Sequence, residues 1–376
     1  MDPETKPLRF AIIGCGGIIA TNHINAIKQM PNAQIVAMCD INAETGAPRA
    51  AEVAESTQRS CTFFTDRHEL LATIKPDVVS ICTPHPFHAP VAIDAFAAGA
   101  HVLTEKPMTI EVAAGDRMIA AADAAGKILA VNFQQRFKPI VERAKTLVDN
   151  GEIGTLVRVL VVEPWLRTFA YYKLSTWRGT WEGEGSAVLL NQSPHTLDLL
   201  CHLAGEPKKV WGWIRTLYHN IECEDTFQAM LEYPNGAPGY ITSSTGEAGA
   251  PGRIQIVGDR AAIELVGDNL TIYRFNPALK EHLRSNPAPF AQPAADVETL
   301  NLPGDAGGHL AVYRDLIDAI HSGRQPRTNG RSGLMSLELA NAITLSSFAE
   351  RAVSTPLDRA EYHALLQDLI AGRRKM

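Results

Sequence analysis

Leu8-Arg9-Phe10-Ala11-Ile12-Ile13-Gly14-Cys15-Gly16-Gly17-Ile18-Ile19-Ala20 decides how the first third of the chain is read. An apolar run, a cluster of glycines and then an amphipathic stretch describe a strand, a tight turn and a helix. Gly14 permits the turn. Gly16 lets backbone amides approach a pyrophosphate, and the helix start behind Gly17 and Ile18 supplies partial positive charge. Ile19 stands where a third Gly or Ala is usual, with Ala20 beside it, so the register of the turn is blurred. Two glycines after a strand also describe many ordinary strand–helix turns.

Outward from this turn, short apolar runs alternate with longer amphipathic ones as far as Phe133. Strands are expected at 10–15, 34–39, 62–64, 78–82, 101–103 and 128–131. Helices are expected at 18–30, 43–56, 66–73, 86–98 and 110–125, the fourth starting near Pro86 because Pro90 fits only close to a first turn. Strict alternation builds a parallel sheet covered by helices, an α/β doubly wound Rossmann domain over residues 1–133. The second strand ends at Asp40, where a carboxylate accepts hydrogen bonds from a dinucleotide's ribose hydroxyls and repels a 2′-phosphate. NAD is therefore expected in preference to NADP. The competing use of Asp40 is as cap of the helix beginning near Asn42.

Beyond Phe133 the rhythm changes. One helix at 139–150 is followed by strand runs at 156–162, 210–217, 226–233, 239–243, 253–258, 261–265 and 270–275, with turn signals at Pro234-Asn235-Gly236 and Gly258-Asp259. So many consecutive strands make residues 134–376 an α+β domain with a large open, mostly antiparallel sheet. Residues 276–309 are Pro-rich and weakly periodic and read as a long loop, either functional or an oligomer arm. Helices at 310–321 and 332–351 are expected to join the second domain.

The chain of 376 residues is 45% hydrophobic and 20% charged with a net charge of −6. This excludes collagen-like, disulfide-scaffold and disordered classes. The only dense basic run is Arg373-Arg374-Lys375, so neither a nucleic-acid nor a membrane partner is expected. No run reaches the roughly 18 apolar residues of a membrane span, and the first residues lack a signal-peptide core. The six cysteines, at 15, 39, 61, 82, 201 and 223, form no CxxC pair and are expected as free thiols in the cytoplasm.

Two more strand ends carry functional groups. Cys82-Thr83-Pro84-His85-Pro86-Phe87-His88 follows the fourth strand and Thr104-Glu105-Lys106-Pro107 the fifth, at the edge where open α/β sheets bind ligands. A CTPxxxH-like segment followed by Glu-Lys-Pro resembles the glucose-fructose oxidoreductase / inositol dehydrogenase / rhizopine catabolism (Gfo/Idh/MocA) family. The resemblance implies that Lys106 lies between nicotinamide and substrate. It also implies that Thr83, Pro84, His88, Glu105 and Pro107 join Gly14, Gly16, Gly17, Ile18 and Asp40 around the cofactor. A partly desolvated lysine near a positive ring has a lowered pKa and helps polarise or deprotonate a hydroxyl.

The family's second signature is a glycine-rich strand followed by a helix carrying DxGxHxxD. Here it is matched by Gly183-Glu184-Gly185-Ser186-Ala187-Val188-Leu189-Leu190-Asn191-Gln192-Ser193-Pro194-His195-Thr196-Leu197-Asp198. His195 and Asp198, three apart, share a helix face. The resemblance makes His195 the acid/base that takes the hydroxyl proton. Asn191 replaces a frequent aspartate and Ser193 a glycine; an amide relays no proton, so Asn191 is expected to hydrogen-bond a substrate hydroxyl or the carboxamide. No metal is expected, since Asn191, His195 and Asp198 are a poor ligand set. His23, His202 and His321 read as structural.

Upstream, Trp165, Trp177 and Trp181 cluster with Phe169, Tyr171, Tyr172, Arg167 and Arg178. Aromatic faces with interspersed donors suit a polyol or sugar ring, which makes Tyr172, Trp177 and Arg178 substrate candidates beside Asn191 and Asp198. An aromatic layer packed on the sheet or at a subunit contact is the equal alternative, and Lys173 and Arg178 also suit a phosphate or uronate. Asn132-Phe133 with Arg136-Phe137, Gly151-Glu152-Ile153-Gly154, Glu224-Asp225-Thr226 and residues 309–358 extend the resemblance over nearly the whole chain. Arg136 is expected at cofactor or substrate, or in an ion pair. The expectation is an NAD-dependent dehydrogenase acting on a secondary hydroxyl or ketone of a sugar, sugar derivative or cyclitol, assembled as a homodimer or homotetramer. Two other classes stay open: a catalytically silent dinucleotide sensor, and an S-adenosylmethionine-dependent methyltransferase in which the Glu-Lys-Pro and HxxD segments have no role.

Overall fold

The structure is a computed structural model that describes residues 6–305 and 307–376. The chain divides into two units, one running to Gln134 and taking up Gly307–Leu337, the other starting at Gln135 and resuming at Glu338. In the first, β1 (Leu8–Ile13), α1 (Ile19–Lys28), β2 (Ala33–Cys39), α2 (Ala43–Thr57), β3 (Thr62–Phe64), α3 (Arg67–Ile74), β4 (Val78–Ile81), α4 (His88–Ala97), β5 (His101–Thr104), α5 (Val112–Ala125) and β6 (Leu129–Val131) alternate. The strands pair in parallel in the order β3-β2-β1-β4-β5-β6. Phe10, Ile12, Val78, Ile81, Val102 and Leu103 are fully buried. Burial on both sheet faces is why these strands read as unbroken apolar runs. The strand order reverses at β1, so the carboxyl ends of β1 and β4 flank a crevice in which such sheets hold ligands.

The second unit begins with α6 (Pro139–Asp149) and β7 (Leu156–Pro164), followed by the single turns α7 (Phe169–Tyr172) and α8 (Trp181–Glu184), a π turn at Val188–Gln192, and α9 (Pro194–Ala204). There follow β8 (Lys209–Arg215), β9 (Thr226–Glu232), β10 (Pro238–Ser244), β11 (Arg253–Gly258), β12 (Ala261–Val266), β13 (Asn269–Asn276), α10 (Leu279–Ser285) and β14 (Ala294–Asn301). With β15 (Val353–Ser354) they form a nine-stranded sheet ordered β14-β13-β12-β11-β7-β10-β9-β8-β15. The β7–β10 pair is parallel and the other described pairs are antiparallel. The remaining helices are α11 (His309–Ser322), α12 (Gly330–Ala349) and α13 (Arg359–Ile370).

Four expectations are corrected. Residues 276–309 are not a plain loop: they hold α10 and the edge strand β14, which pairs with β13 along its whole length. Its side chains are mostly exposed on both faces, so no apolar alternation betrayed it. The terminal helices do not all belong to the second unit. Helix α11 packs on the first, where Tyr313 is fully buried, and the start of α12 lies against β6, with Leu334 in the space that Gly115 leaves open. Residues 183–186 do not form a strand, because Thr180 caps the turn α8 and Gly185, at φ 75°, ends it. Asn191 lies on the π turn and not on α9, whose first residue is Pro194.

Candidate active site

The glycine turn of the first unit is built around close approach. Gly14 adopts φ 88°, and a Cβ there would stand 2.6 Å from the Thr83 amide nitrogen. A Cβ on Gly16 would stand 2.9 Å from Asp40 Oδ2, whereas Gly17 is open to solvent. The amide of Gly16 donates to Asp40 Oδ2 at 2.7 Å and that of Asn42 to Oδ1 at 2.9 Å. Asp40 therefore braces the turn, and the helix cap is Asn42, which accepts from Glu44. Two isoleucines flank the turn, Ile18 at 86% and Ile41 at 94% exposure. Ile41 was missed in the sequence, though an apolar residue directly after a strand-ending Asp is a readable signal. Arg49, also missed, donates to the carbonyls of Cys15 and Gly17. A cradle that excludes any Cβ at positions 14 and 16, together with the buried Thr83 Oγ1 that lacks a partner among the described residues, fits a dinucleotide.

At the end of β5, Glu105 is the hub of a buried network. Its Oε1 accepts from Asn132 Nδ2 at 2.5 Å, from His23 Nε2 at 2.8 Å and from His309 Nε2 at 3.3 Å, while the Lys106 amide reaches Oε2 at 3.2 Å. Burial alone raises its pKa, yet the hydrogen bonds from His23 and His309 hold the carboxyl well below its usual range. Burial pushes the His23 pKa down, so its ring is neutral. Donation to Glu105 assigns the proton to Nε2 and leaves Nδ1 to accept from the Tyr313 hydroxyl, 2.7 Å away. His23, His309 and Glu105 are residue types that ligate metals, and their ligand atoms lie within 4.8 Å of one another. Each imidazole is already aimed at the carboxylate. His88 is fully buried between the Thr83 and Pro107 carbonyls and ties the two motif loops together. Lys106 is half-buried.

In the second unit His195 is half-buried near the start of α9. It lines a cleft of about 270 Å³ with Lys138, Glu163, Trp165, Gln192 and Arg253. Asp198, expected on the same helix face at the substrate, pairs with Arg136, for which an ion pair is one of the expected uses: Nε donates to Oδ2 at 2.8 Å and Nη2 to Oδ1 at 2.5 Å, with both residues buried. The pair is a strut between two chain segments.

The aromatic cluster forms a stack. The Arg178 guanidinium lies 4.4 Å from the Tyr171 ring centre and 4.8 Å from that of Trp177, and Arg167 lies 5.2 Å from Tyr171 and from Trp165. Tyr172 donates to or accepts from Thr245 at 2.9 Å. Beneath the stack sits Glu184, fully buried, accepting from the Gly179 amide at 2.7 Å and from Asn191 Nδ2. Burial pushes its pKa up to about 7. Glu224 accepts from Ser186 and from the amides of Val188 and Leu189, which holds the start of the π turn. Tyr171 is visible in the sequence as a member of the aromatic cluster, but Glu184 and Gln192 are not singled out there, because nothing in a Gly-Glu-Gly run distinguishes a buried carboxyl from a solvated one.

Residues 8–133 match the profile of the "Oxidoreductase family, NAD-binding Rossmann fold", and residues 141–264 match the "GFO/IDH/MocA C-terminal domain". The WlbA dehydrogenase of Bordetella pertussis, solved with NADH and UDP-GlcNAcA, superposes with a TM-score of 0.78 at 31% identity, covering 94% of this chain and 100% of that one. The D-apiose dehydrogenase of Paraburkholderia graminis is 25% identical over 370 residues, 96% of this chain and 93% of its own. The myo-inositol 2-dehydrogenase of Thermotoga maritima is 26% identical over 366 residues, 92% of this chain and 98% of its own.

Proposed function

We propose, because the chain belongs to the Gfo/Idh/MocA family of oxidoreductases, that it transfers a hydride between NAD and a secondary hydroxyl or ketone of a sugar, sugar derivative or cyclitol. It is an NAD(P)-dependent oxidoreductase acting on CH–OH groups; neither the silent sensor nor the methyltransferase is favoured by its relatives. The observation that carries the reading is the glycine turn, where Asp40 holds the Gly16 amide and no Cβ fits at Gly14 or Gly16.

Bound NAD supplies the hydride acceptor. Gly14, Gly16, Gly17, Ile18, Asp40 and Thr83 would hold it, and the Asp40 carboxylate favours NAD over NADP. Lys106 polarises the substrate hydroxyl and His195 takes its proton. Asn191, with Trp177 and Arg178, orients the ring. His88, Glu105 and Pro107 support the lysine's turn, and Arg136 and Asp198 brace α9. An apolar ribbon across the open sheet face, Trp211 beside Met230 beside Tyr240 beside Leu160, supports a homodimer or homotetramer. Free thiols at all six cysteines support a cytoplasmic enzyme.

NADH formation across a panel of aldoses, pyranosides, inositols and a nucleotide-linked uronate tests the reading, with NAD and NADP side by side. Lys106→Ala and His195→Ala should each lower kcat/KM by about 10²–10⁴-fold. Most turnover surviving in both variants would remove these roles. Tighter binding of NADP than NAD would overturn the role of Asp40 and turn attention to Arg49.

A further inference from the structure

Position 191 carries an amide, yet a carboxyl group stands directly against it. Asn191 Nδ2 donates both to Glu184 Oε1 and, at 3.2 Å, to the Tyr171 hydroxyl. That hydroxyl also receives Gln192 Nε2 at 2.6 Å and the Arg178 guanidinium. Both protons of the Asn191 amide are thus aimed at fixed acceptors, and the edge it turns the other way is the carbonyl. We propose that Glu184 is the positioning carboxylate of the second unit's site, setting through Asn191 which edge of that amide meets the substrate. The proposal rests on the reading of Asn191 and His195 as substrate-facing residues.

The orientation depends on the charge of Glu184. As a carboxylate it only accepts, so the amide must present its NH₂ group to it and its carbonyl lies on the opposite edge, the edge that a substrate-facing Asn191 turns towards a sugar hydroxyl. Once protonated, Glu184 gains an O–H that needs an acceptor, and the amide within reach offers one by turning over, which presents NH₂ to the substrate instead. One proton outside the reacting atoms then reverses the hydrogen-bonding sense of the site.

The groups around Glu184 are opposed in sign. Arg178 lies 3.8 Å from Oε1 and favours the carboxylate, while Glu224 and burial disfavour it. The phenol of Tyr172 and the buried Cys223 thiol are neutral neighbours whose ionisation burial and nearby carboxylates resist, and the Tyr171 hydroxyl lies beside them. Helix α13, packed against α8, carries Tyr362 and His363, and α8 itself carries the exposed Glu182.

Selective ¹⁵N-asparagine labelling tests this without any substrate, with Asn191→Ser assigning the side-chain signal. The Asn191 NH₂ resonance should titrate with a midpoint near 7, where Glu184 ionises. In Glu184→Gln it should be independent of pH, and in Glu184→Asp, which keeps a carboxylate if the Gln variant fails to fold, the midpoint should move. With a sugar in hand, Glu184→Gln should raise KM about tenfold and change kcat far less, as expected for one misdirected hydrogen bond. A resonance that ignores pH, or that titrates alike in wild type and Glu184→Gln because another group drives it, overturns the proposal. Titration of Asn191 as expected in a protein that oxidises no sugar or cyclitol would leave this device standing and overturn the functional reading.

Discussion

Glu105 and Glu184 are both buried, each beside a motif residue, and burial is the largest influence on each. In the first unit, three side-chain donors converge on one oxygen of Glu105, a backbone amide serves the other, and the carboxyl is held well below its usual range. In the second, Glu184 has one backbone amide, one side-chain amide and a guanidinium at 3.8 Å, with the charge of Glu224 against it, and its pKa is pushed up to about 7. Equal burial leads to opposite proton affinities because the donors differ in number and the second site has an acidic neighbour. The first unit therefore holds a fixed charge under its Glu-Lys-Pro turn. The second holds a charge that comes and goes at neutral pH under Asn191.

The largest way to break this contrast is to remove the fixed charge. Glu105→Ala strands the protons of His23, His309 and Asn132 in the interior and should cost about 3–5 kcal/mol, the range for breaking a buried ionic hub. Denaturant unfolding measures it. A loss under about 1 kcal/mol would mean that these donors find other partners and that the hub is incidental. Because the folded pKa of Glu105 is depressed from 4.5, its contribution is complete above that value and fades as pH falls through the folded pKa.

Glu184 should show the reverse slope. Its folded pKa lies above its ordinary 4.5, so between 4.5 and about 7 the folded state keeps a proton that the unfolded chain releases. This group's effect is neutral below 4.5 and increasingly unfavourable as pH rises to 7, by about 3 kcal/mol in all. Stability of the wild type minus that of Glu184→Gln should therefore fall between about pH 4.5 and about pH 7 and level off above. A difference that is flat, or that rises, would place Glu184 in the same class as Glu105.

What the sequence revealed about these two sites follows the same division. The strands of the first unit were legible because helices cover both faces and leave unbroken apolar runs, and Glu105-Lys106-Pro107 was visible as a motif. Its support was not: His23 and His309 lie 82 and 204 positions away from Glu105, and only the fold brings them to one oxygen. His23, read as structural, thus braces the Glu-Lys-Pro turn. The second unit was harder. Asn191 was placed on a helix with His195, although Pro194, a preferred first residue of a helix, already marked the boundary. The edge strand β14 gave no alternation because neither of its faces is covered. An ion pair is among the uses expected of Arg136, but its partner Asp198 is not legible in the sequence, because a pairing across 62 residues leaves no local trace.

The smallest test asks how far the depression of the Glu105 pKa depends on a chain of hydroxyls. The Nε2–H tautomer by which His23 serves Glu105 is favoured by a donor at Nδ1, and that donor is the Tyr313 hydroxyl, whose oxygen in turn lies 2.6 Å from Ser80 Oγ. Tyr313→Phe preserves the ring, packed edge-on against Phe10 and His23, and removes the hydroxyl alone. It leaves the Nδ1 lone pair and the Ser80 hydroxyl without their partner, at a cost of about 1–3 kcal/mol. The ¹⁵N shifts of His23 should report a single Nε2–H tautomer in wild type and a measurable share of the Nδ1–H form in the variant, where the Glu105 carboxylate alone still favours the proton on Nε2. If the tautomer persists and the loss stays below about 0.5 kcal/mol, the hydroxyl chain is dispensable. The low proton affinity of Glu105 would then rest on His309 and Asn132 with His23 as a passive third donor.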